Sequence, residues 1–182
     1  KTGLVRIGID IGGTNTKTGL VDVHNKLLAS RTIPTNAEEG ADRTLRRIAE
    51  TVLGMLEENN ILMEQCIGAG IGIPGTVDRK NGILEYSNNI KWENTDVAGI
   101  IGEIIPLPIR VANDADCAAL GEAVAGNGRY HEDVVLLTLG TGAGGGIILN
   151  GKIYEGRTEP GHMVIEKDGE PCTCGRRGCL EA

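Results

Sequence analysis

The chain has 182 residues, 40% of them apolar, with 28 glycines, no phenylalanine, one tryptophan and three tyrosines. That length allows one ordinary domain or two small lobes, with cores built from Ile, Leu, Val and Ala. A net charge of −7 and the shortage of aromatic stacking platforms tell against a nucleic-acid or anionic-membrane surface, and no apolar run approaches the roughly 20 residues of a membrane span.

The opening residues carry no signal-peptide pattern, so a soluble, cytoplasmic protein is expected. Residues 4–23 read as two apolar strands joined by a tight Gly12-Gly13 turn, and a third strand is expected over 27–33. Residues 41–58 place Leu45, Ile48, Ala49, Val52, Leu53 and Leu56 on one face of an amphipathic helix. A buried strand over 67–73 ends at Pro74-Gly75, with a turn next at 78–82. A helix over 95–105 is stopped by Pro106 and Pro108. A short strand over 109–112 then runs into Asn113-Asp114, and an alanine-rich helix covers 115–125. Strands over 134–139 and 146–149 flank a second glycine-rich turn. The recurrence of this device predicts two related lobes, 1–112 and 113–182, with the crossing at 106–112.

Four groups of residues carry chemistry. Asp10-Ile11-Gly12-Gly13-Thr14-Asn15-Thr16-Lys17 lies in a strand-turn-strand setting where positive φ at the glycines would let backbone N–H groups approach phosphate oxygens, and Asp10 could hold Mg²⁺ through water. The competing reading is a plain hairpin with a Gly-Gly turn. The run Gly140-Thr141-Gly142-Ala143-Gly144-Gly145 matches a dinucleotide fingerprint formally, but it opens a strand and not a helix, so a second phosphate cradle fits better.

Asp114 comes after a strand and opens a helix, where it is equally a general base or a helix N-cap. His162, Cys172, Cys174 and Cys179 form a Cys₃His set suited to tetrahedral, structural zinc, with Gly175 and Gly178 allowing the chain to reverse; a disulfide with a spare thiol or a redox pair are the alternatives. Glu159 and Glu181 lie beside this set and suit hydroxyl binding, although in isolation each reads as a solvated glutamate. Cys66 and Cys117 read as small buried residues, and Trp92 as a packing residue.

Together DIGGTNTK at 10–17, GIPG at 72–75, NDADCAALGE at 113–122, LGTGAGGG at 139–146, and EPGH followed by CTCGRRGCLE resemble the ROK family of sugar kinases and repressors along the whole chain. The resemblance implies an α/β, actin-like and hexokinase-like (ribonuclease-H-like) fold whose two lobes bind ATP and a sugar. It further implies that Asp10, Gly12, Gly13, Thr14, Asn15, Lys17, Gly140, Thr141, Gly142, Gly144 and Gly145 serve the ATP phosphates, and that Asp114 is the catalytic base. Gly75, Asn89, Asn113, Asp114, Glu159, His162 and Glu181 would bind the sugar, with His162 also a zinc ligand and Asp10 serving Mg²⁺. ATP, Mg²⁺ and structural Zn²⁺ are the implied cofactors, glucose the leading sugar, and a homodimer the default assembly. A sugar-sensing repressor or a non-catalytic sugar-binding module is the alternative. Pro160 departs from the family's usual aliphatic residue, and the large lobe reads as incomplete at Ala182.

Overall fold

The computed structural model describes residues 3–139, 142–156 and 158–182, and its packing divides the chain into two units, Lys1–Asp114 and Ala115–Ala182. In the first unit, period-two alternation turns Val5, Ile7, Ile9 and Ile11 of β1 (Val5–Ile11) into the core and leaves Arg6 and Asp10 outside. Strands β2 (Asn15–Asp22) and β3 (Leu27–Pro34) continue as an antiparallel meander. Helix α1 (Ala41–Glu58) then carries the chain over the sheet, and β4 (Cys66–Ile73) returns parallel to β1.

Three short strands come next, β5 (Thr76–Asp78), β6 (Ile83–Ser87) and β7 (Trp92–Asp96), forming a separate antiparallel sheet. Helix α2 (Val97–Gly102) leads to β8 (Ile109–Asn113), parallel to β4, so the main sheet runs β3-β2-β1-β4-β8. Leu45, Ile48, Val52, Met55 and Leu56 of α1 and Val97 and Ile101 of α2 join the inward residues of the sheet in one core. Each such side chain contributes about 1.5 to 3 kcal/mol on burial.

Two expectations change here. The second helix spans Val97–Gly102 and not 95–105, because Thr95 and Asp96 belong to β7 and the Asp96 carboxylate caps the helix by accepting the Gly99 N–H at 2.8 Å. The small sheet was not foreseen, since its strands are only three to five residues long and lack clean alternation.

The second unit holds α3 (Asp114–Ala125), whose first residue closes the first unit, then β9 (Val134–Leu139), β10 (Ala143–Leu149) and β11 (Lys152–Ile153) in the order β11-β10-β9. Asn113 and Asp114, assigned by sequence to the second lobe, thus pack with the first unit. Strand β10 begins at Ala143 and not at 146, so Gly144, Gly145 and Gly146 are strand residues. A Cβ on Gly146 would lie 2.7 Å from the Ala115 carbonyl and 2.8 Å from Ala119 Cβ, and its absence lets α3 lie directly on the strand. Beyond the sheet, the 3₁₀ turn Pro160–His162 and a loop closed by the Val164–Cys179 and Pro171–Arg177 bridges complete the unit. Among the described residues no helix is long and apolar enough to cross a membrane.

Candidate functional site

In the first unit, the registers Asp10↔Gly72, Gly72↔Ala112 and Ile73↔Asn113 align the carboxyl ends of three parallel strands. Gly12, Pro74-Gly75 and Asn113-Asp114 therefore leave the sheet on the same side, where open parallel sheets bind their ligands. At the β1–β2 turn the Gly12 N–H donates to the Asn15 carbonyl at 3.0 Å. Asp10, Gly13, Thr14, Asn15 and Lys17 are all exposed around it.

The turn does not use the left-handed backbone that the glycines suggested, since neither Gly12 nor Gly13 has positive φ. Gly12 is needed for space, because a Cβ there would lie 2.7 Å from the Asn15 carbonyl oxygen. Gly13 is open, its nearest neighbour being the Asn89 carbonyl oxygen at 4.0 Å from an added Cβ. That contact brings exposed Asn89, in the turn after β6, to the tip of the hairpin.

Gly75 does require glycine geometry: its φ is +122°, and a Cβ would meet the Tyr86 carbonyl and lie 2.9 Å from Ser87 Cβ. The Asn113 side-chain amide donates to the Gly75 carbonyl at 3.0 Å, tying the end of β8 to the turn after β4. Half-buried Asp114 comes next, at the first position of α3. Sequence reasoning missed Thr35, which donates its hydroxyl to the Gly12 carbonyl at 2.7 Å from a position just past β3. No local pattern marks it, because only the meander brings it to the turn.

In the second unit, Leu139 pairs with Ala143, and Gly140 and Thr141, expected to serve the phosphates, lie outside the described residues. Gly144 and Gly145 sit within β10 and face their neighbours: added Cβ atoms would lie 2.8 Å from Thr138 Oγ1 and 2.9 Å from Pro160 Cγ. Gly142 comes just before β10, where a Cβ would be 2.6 Å from Glu181 Oε2. Glu181 Oε1 in turn lies 3.4 Å from His162 Nδ1 and accepts from Cys172 Sγ and Thr173 Oγ1, each at 3.3 Å. The hydrogen bond from Cys172, then those from the Ala143 N–H and the charge of His162, hold the Glu181 carboxyl below its ordinary value. Exposed Glu159 lies one residue before the Pro160–His162 turn, and its carbonyl accepts the His162 N–H at 2.9 Å.

The ligand atoms of His162, Cys172, Cys174 and Cys179 all lie within 4.8 Å of one another. Zinc bonds of about 2.3 Å to sulfur and 2.0 to 2.1 Å to nitrogen give tetrahedral edges of about 3.5 to 3.8 Å. Two edges already match, Cys174 Sγ to Cys179 Sγ at 3.6 Å and Cys172 Sγ to His162 Nδ1 at 3.6 Å. The donor set therefore fits a structural zinc ion, and all five cysteines are free of disulfides. Gly175 at φ +85° and Gly178 at φ +74° supply the expected chain reversal. Hydrogen bonds from Arg176 push the Cys174 thiol down to about 6, which favours the thiolate that binds metal, whereas burial pushes Cys179 up to about 11.

The ROK family model matches residues 6–182. The glucokinase of Thermotoga maritima is 41% identical over 181 residues, covering 97% of this chain and 56% of that protein. The crystal structure of the ROK hexokinase from Thermus thermophilus superposes with a TM-score of 0.85 at 32% identity, covering 98% of this chain and 59% of that one. A ROK glucokinase from Streptomyces griseus, solved in complex with glucose and AMPPNP, gives a TM-score of 0.79 at 36% identity over 97% of this chain and 56% of that one. The xylose repressor of Caldicellulosiruptor bescii also matches, at 28% identity over 96% of this chain and 45% of that protein. The chain thus spans about half the length of the relatives it matches, and its α/β architecture is the actin-like, hexokinase-like fold of these kinases.

Proposed function

This chain belongs to the ROK family, and from that premise we propose that its residues serve ATP-dependent phosphorylation of a hexose, with glucose as the leading substrate. The observation that carries the reading is the convergence of the Gly12-Gly13 turn, Gly75 and Asn113-Asp114 at the carboxyl ends of three adjacent parallel strands. An acidic residue at the mouth of such a sheet, next to a turn with an exposed, side-chain-free peptide, suits proton abstraction beside a phosphate.

In this reading the Asp114 carboxylate takes the proton of a sugar hydroxyl, whose oxygen bonds to the γ-phosphorus of ATP as the bond to the β-phosphate oxygen breaks and ADP leaves. Backbone N–H groups of the Gly12–Asn15 turn, with Lys17 and with Gly140, Thr141 and Gly142, hold phosphate charge. Gly144 and Gly145 act in that hairpin through packing. Exposed Asp10 would hold Mg²⁺ through water, and the ion would neutralise charge on the phosphates. Asn113 and Gly75, linked by their hydrogen bond, with Asn89, Glu159, His162 and Glu181, serve the sugar hydroxyls. His162, Cys172, Cys174 and Cys179 would hold zinc as a brace for the loop that carries Glu181.

Replacing Asp114 by Asn in the protein at its full natural length tests this. Turnover with glucose and ATP should fall by about 10² to 10⁴, with the glucose Kd within a few-fold of wild type. Near-normal turnover would remove Asp114 from the chemistry. A panel of glucose, mannose, fructose, allose and N-acetylmannosamine decides the sugar. The match to a xylose repressor supports a second reading, a sugar sensor without phosphoryl transfer. Sugar binding with no sugar-dependent release of ADP would favour it.

A further inference from the structure

We infer that Thr16 and Thr35 form a directed hydroxyl relay that sets the orientation of the Gly12–Gly13 peptide, and that Thr35 is therefore a positioning residue for phosphate binding. The inference rests on the reading of that turn as a phosphate cradle.

Thr16 and Thr35 are both completely buried, at 0% exposure. Thr16 projects into the core from β2, between Ile11 of β1 and Ile33 of β3 in the registers. A hydroxyl buried among aliphatic side chains is costly unless it is bonded, and here each has a partner: Thr16 Oγ1 lies 2.9 Å from Thr35 Oγ1, which lies 2.7 Å from the Gly12 carbonyl oxygen. The proton positions follow from chemistry. A carbonyl oxygen only accepts, so the single hydroxyl proton of Thr35 points to Gly12, and Thr16 must donate to Thr35. The two bonds run in one direction and reinforce each other.

Thr35 is itself held on all sides. Its N–H donates to the Thr14 carbonyl at 2.9 Å, and its carbonyl accepts from Arg47 Nη2 at 2.5 Å. The residue thus bridges the far side of the turn, helix α1 and the Gly12 carbonyl. Peptide planarity carries the constraint onward: in a trans peptide the C=O and the following N–H point in opposite directions. Drawing the Gly12 carbonyl inward to Thr35 therefore turns the Gly13 N–H outward, at an exposed residue where an added Cβ has no neighbour closer than 4.0 Å. An N–H aimed in advance at the ligand costs no reorganisation when an anion binds.

The test is calorimetric binding of a non-hydrolysable ATP analogue with Mg²⁺, and separately of glucose, to the protein at its full natural length. Thr35→Val keeps the shape and deletes the hydroxyl, and it should raise the analogue's Kd about tenfold while the glucose Kd stays within about twofold. Thr35→Ser should restore analogue binding to within about twofold of wild type. Gly13→Ala, which leaves the relay intact, should weaken the analogue because its methyl group occupies the approach. Unchanged analogue binding in Thr35→Val beside a clear loss in Gly13→Ala overturns the relay and leaves the cradle standing. Unchanged binding in both overturns the cradle reading itself. Equal losses of analogue and glucose in Thr35→Val would reduce the relay to a general structural role and overturn the inference. Should Thr35→Val fail to fold, Thr16→Val, which removes only the first donor, must weaken the analogue about threefold; no change there would likewise overturn it.

Discussion

The first hairpin offers two adjacent glycines with opposite requirements, and alanine at each separates them. In Gly12→Ala the new Cβ would lie 2.7 Å from the Asn15 carbonyl oxygen, a backbone atom that moves only if the turn opens. Forcing that contact costs about 1 to 3 kcal/mol, as overpacking generally does. Opening the turn also weakens the Gly12 N–H bond to Asn15 and the Thr35 bond to the Gly12 carbonyl, each worth about 1 kcal/mol. The expected loss is about 2 to 5 kcal/mol, a large share of the 5 to 15 kcal/mol that holds a typical domain. In Gly13→Ala the nearest atom is 4.0 Å from the new Cβ and φ lies outside the left-handed region, so stability should be unchanged or raised by up to about 1 kcal/mol. Urea unfolding followed by Trp92 fluorescence reads this directly, because the protein's single tryptophan lies in the first unit, is 5% exposed, and donates its Nε1–H to the Ala37 carbonyl at 3.0 Å. With a slope of about 1 to 3 kcal/mol per molar, the Gly12→Ala midpoint should fall by on the order of 1 to 3 M. A Gly12→Ala midpoint equal to wild type, or a Gly13→Ala protein as unstable as Gly12→Ala, would refute the assignment of space to one glycine and access to the other.

Cys174→Ala should abolish the binding of one zinc per chain, read by atomic absorption after dialysis, and weaken glucose binding with it, because Glu181 is held against His162 and Cys172. Normal glucose affinity in the zinc-free variant would reduce the cluster to a staple for its own loop. Gly121→Ala fills an exposed position inside α3 where a Cβ meets nothing within 4 Å, so it should stabilise the second unit by about 0.5 to 1 kcal/mol in thermal unfolding. A destabilised Gly121→Ala would show that this face of α3 is covered.

The architecture was legible where a single period dominates. Val5, Ile7, Ile9 and Ile11 alternate cleanly, and Leu45, Ile48, Ala49, Val52 and Leu56 recur at helical spacing, so β1 and α1 could be read directly. The β5–β7 sheet was not legible, because left-handed residues such as Lys91, in the turn before β7, and Asn94, within it, leave no alternation to read. The clustering of His162, Cys172, Cys174 and Cys179 was legible because these residues lie close together in sequence and the reversing glycines sit between them. Thr35 was not, since its partner atoms are on residues 12 and 16, across a meander that only the folded sheet closes.

The glycines show why a motif underdetermines a site. Six described glycines lie in the two glycine-rich motifs at 10–17 and 139–146, and by sequence all could cradle phosphate. The structure gives five of them a neighbour that a Cβ would strike: Asn15 for Gly12, Glu181 for Gly142, Thr138 for Gly144, Leu136 and Pro160 for Gly145, and α3 for Gly146. At Gly12, Gly145 and Gly146 the atoms met include backbone, so packing asks for glycine there, whereas at Gly142 and Gly144 they are side-chain oxygens. Gly13 is the exception, with no atom closer than 4.0 Å and an exposed position. Nothing in the fold asks for glycine there, and the open backbone leaves room for a ligand at contact distance, as the proposed phosphate cradle needs. On that ground, side chains larger than hydrogen at position 13 should weaken nucleotide binding in order of size, Ala before Val, while unfolding in urea stays close to wild type for Ala. A Gly13→Val protein that binds the nucleotide analogue as tightly as wild type would show that the open space serves no ligand.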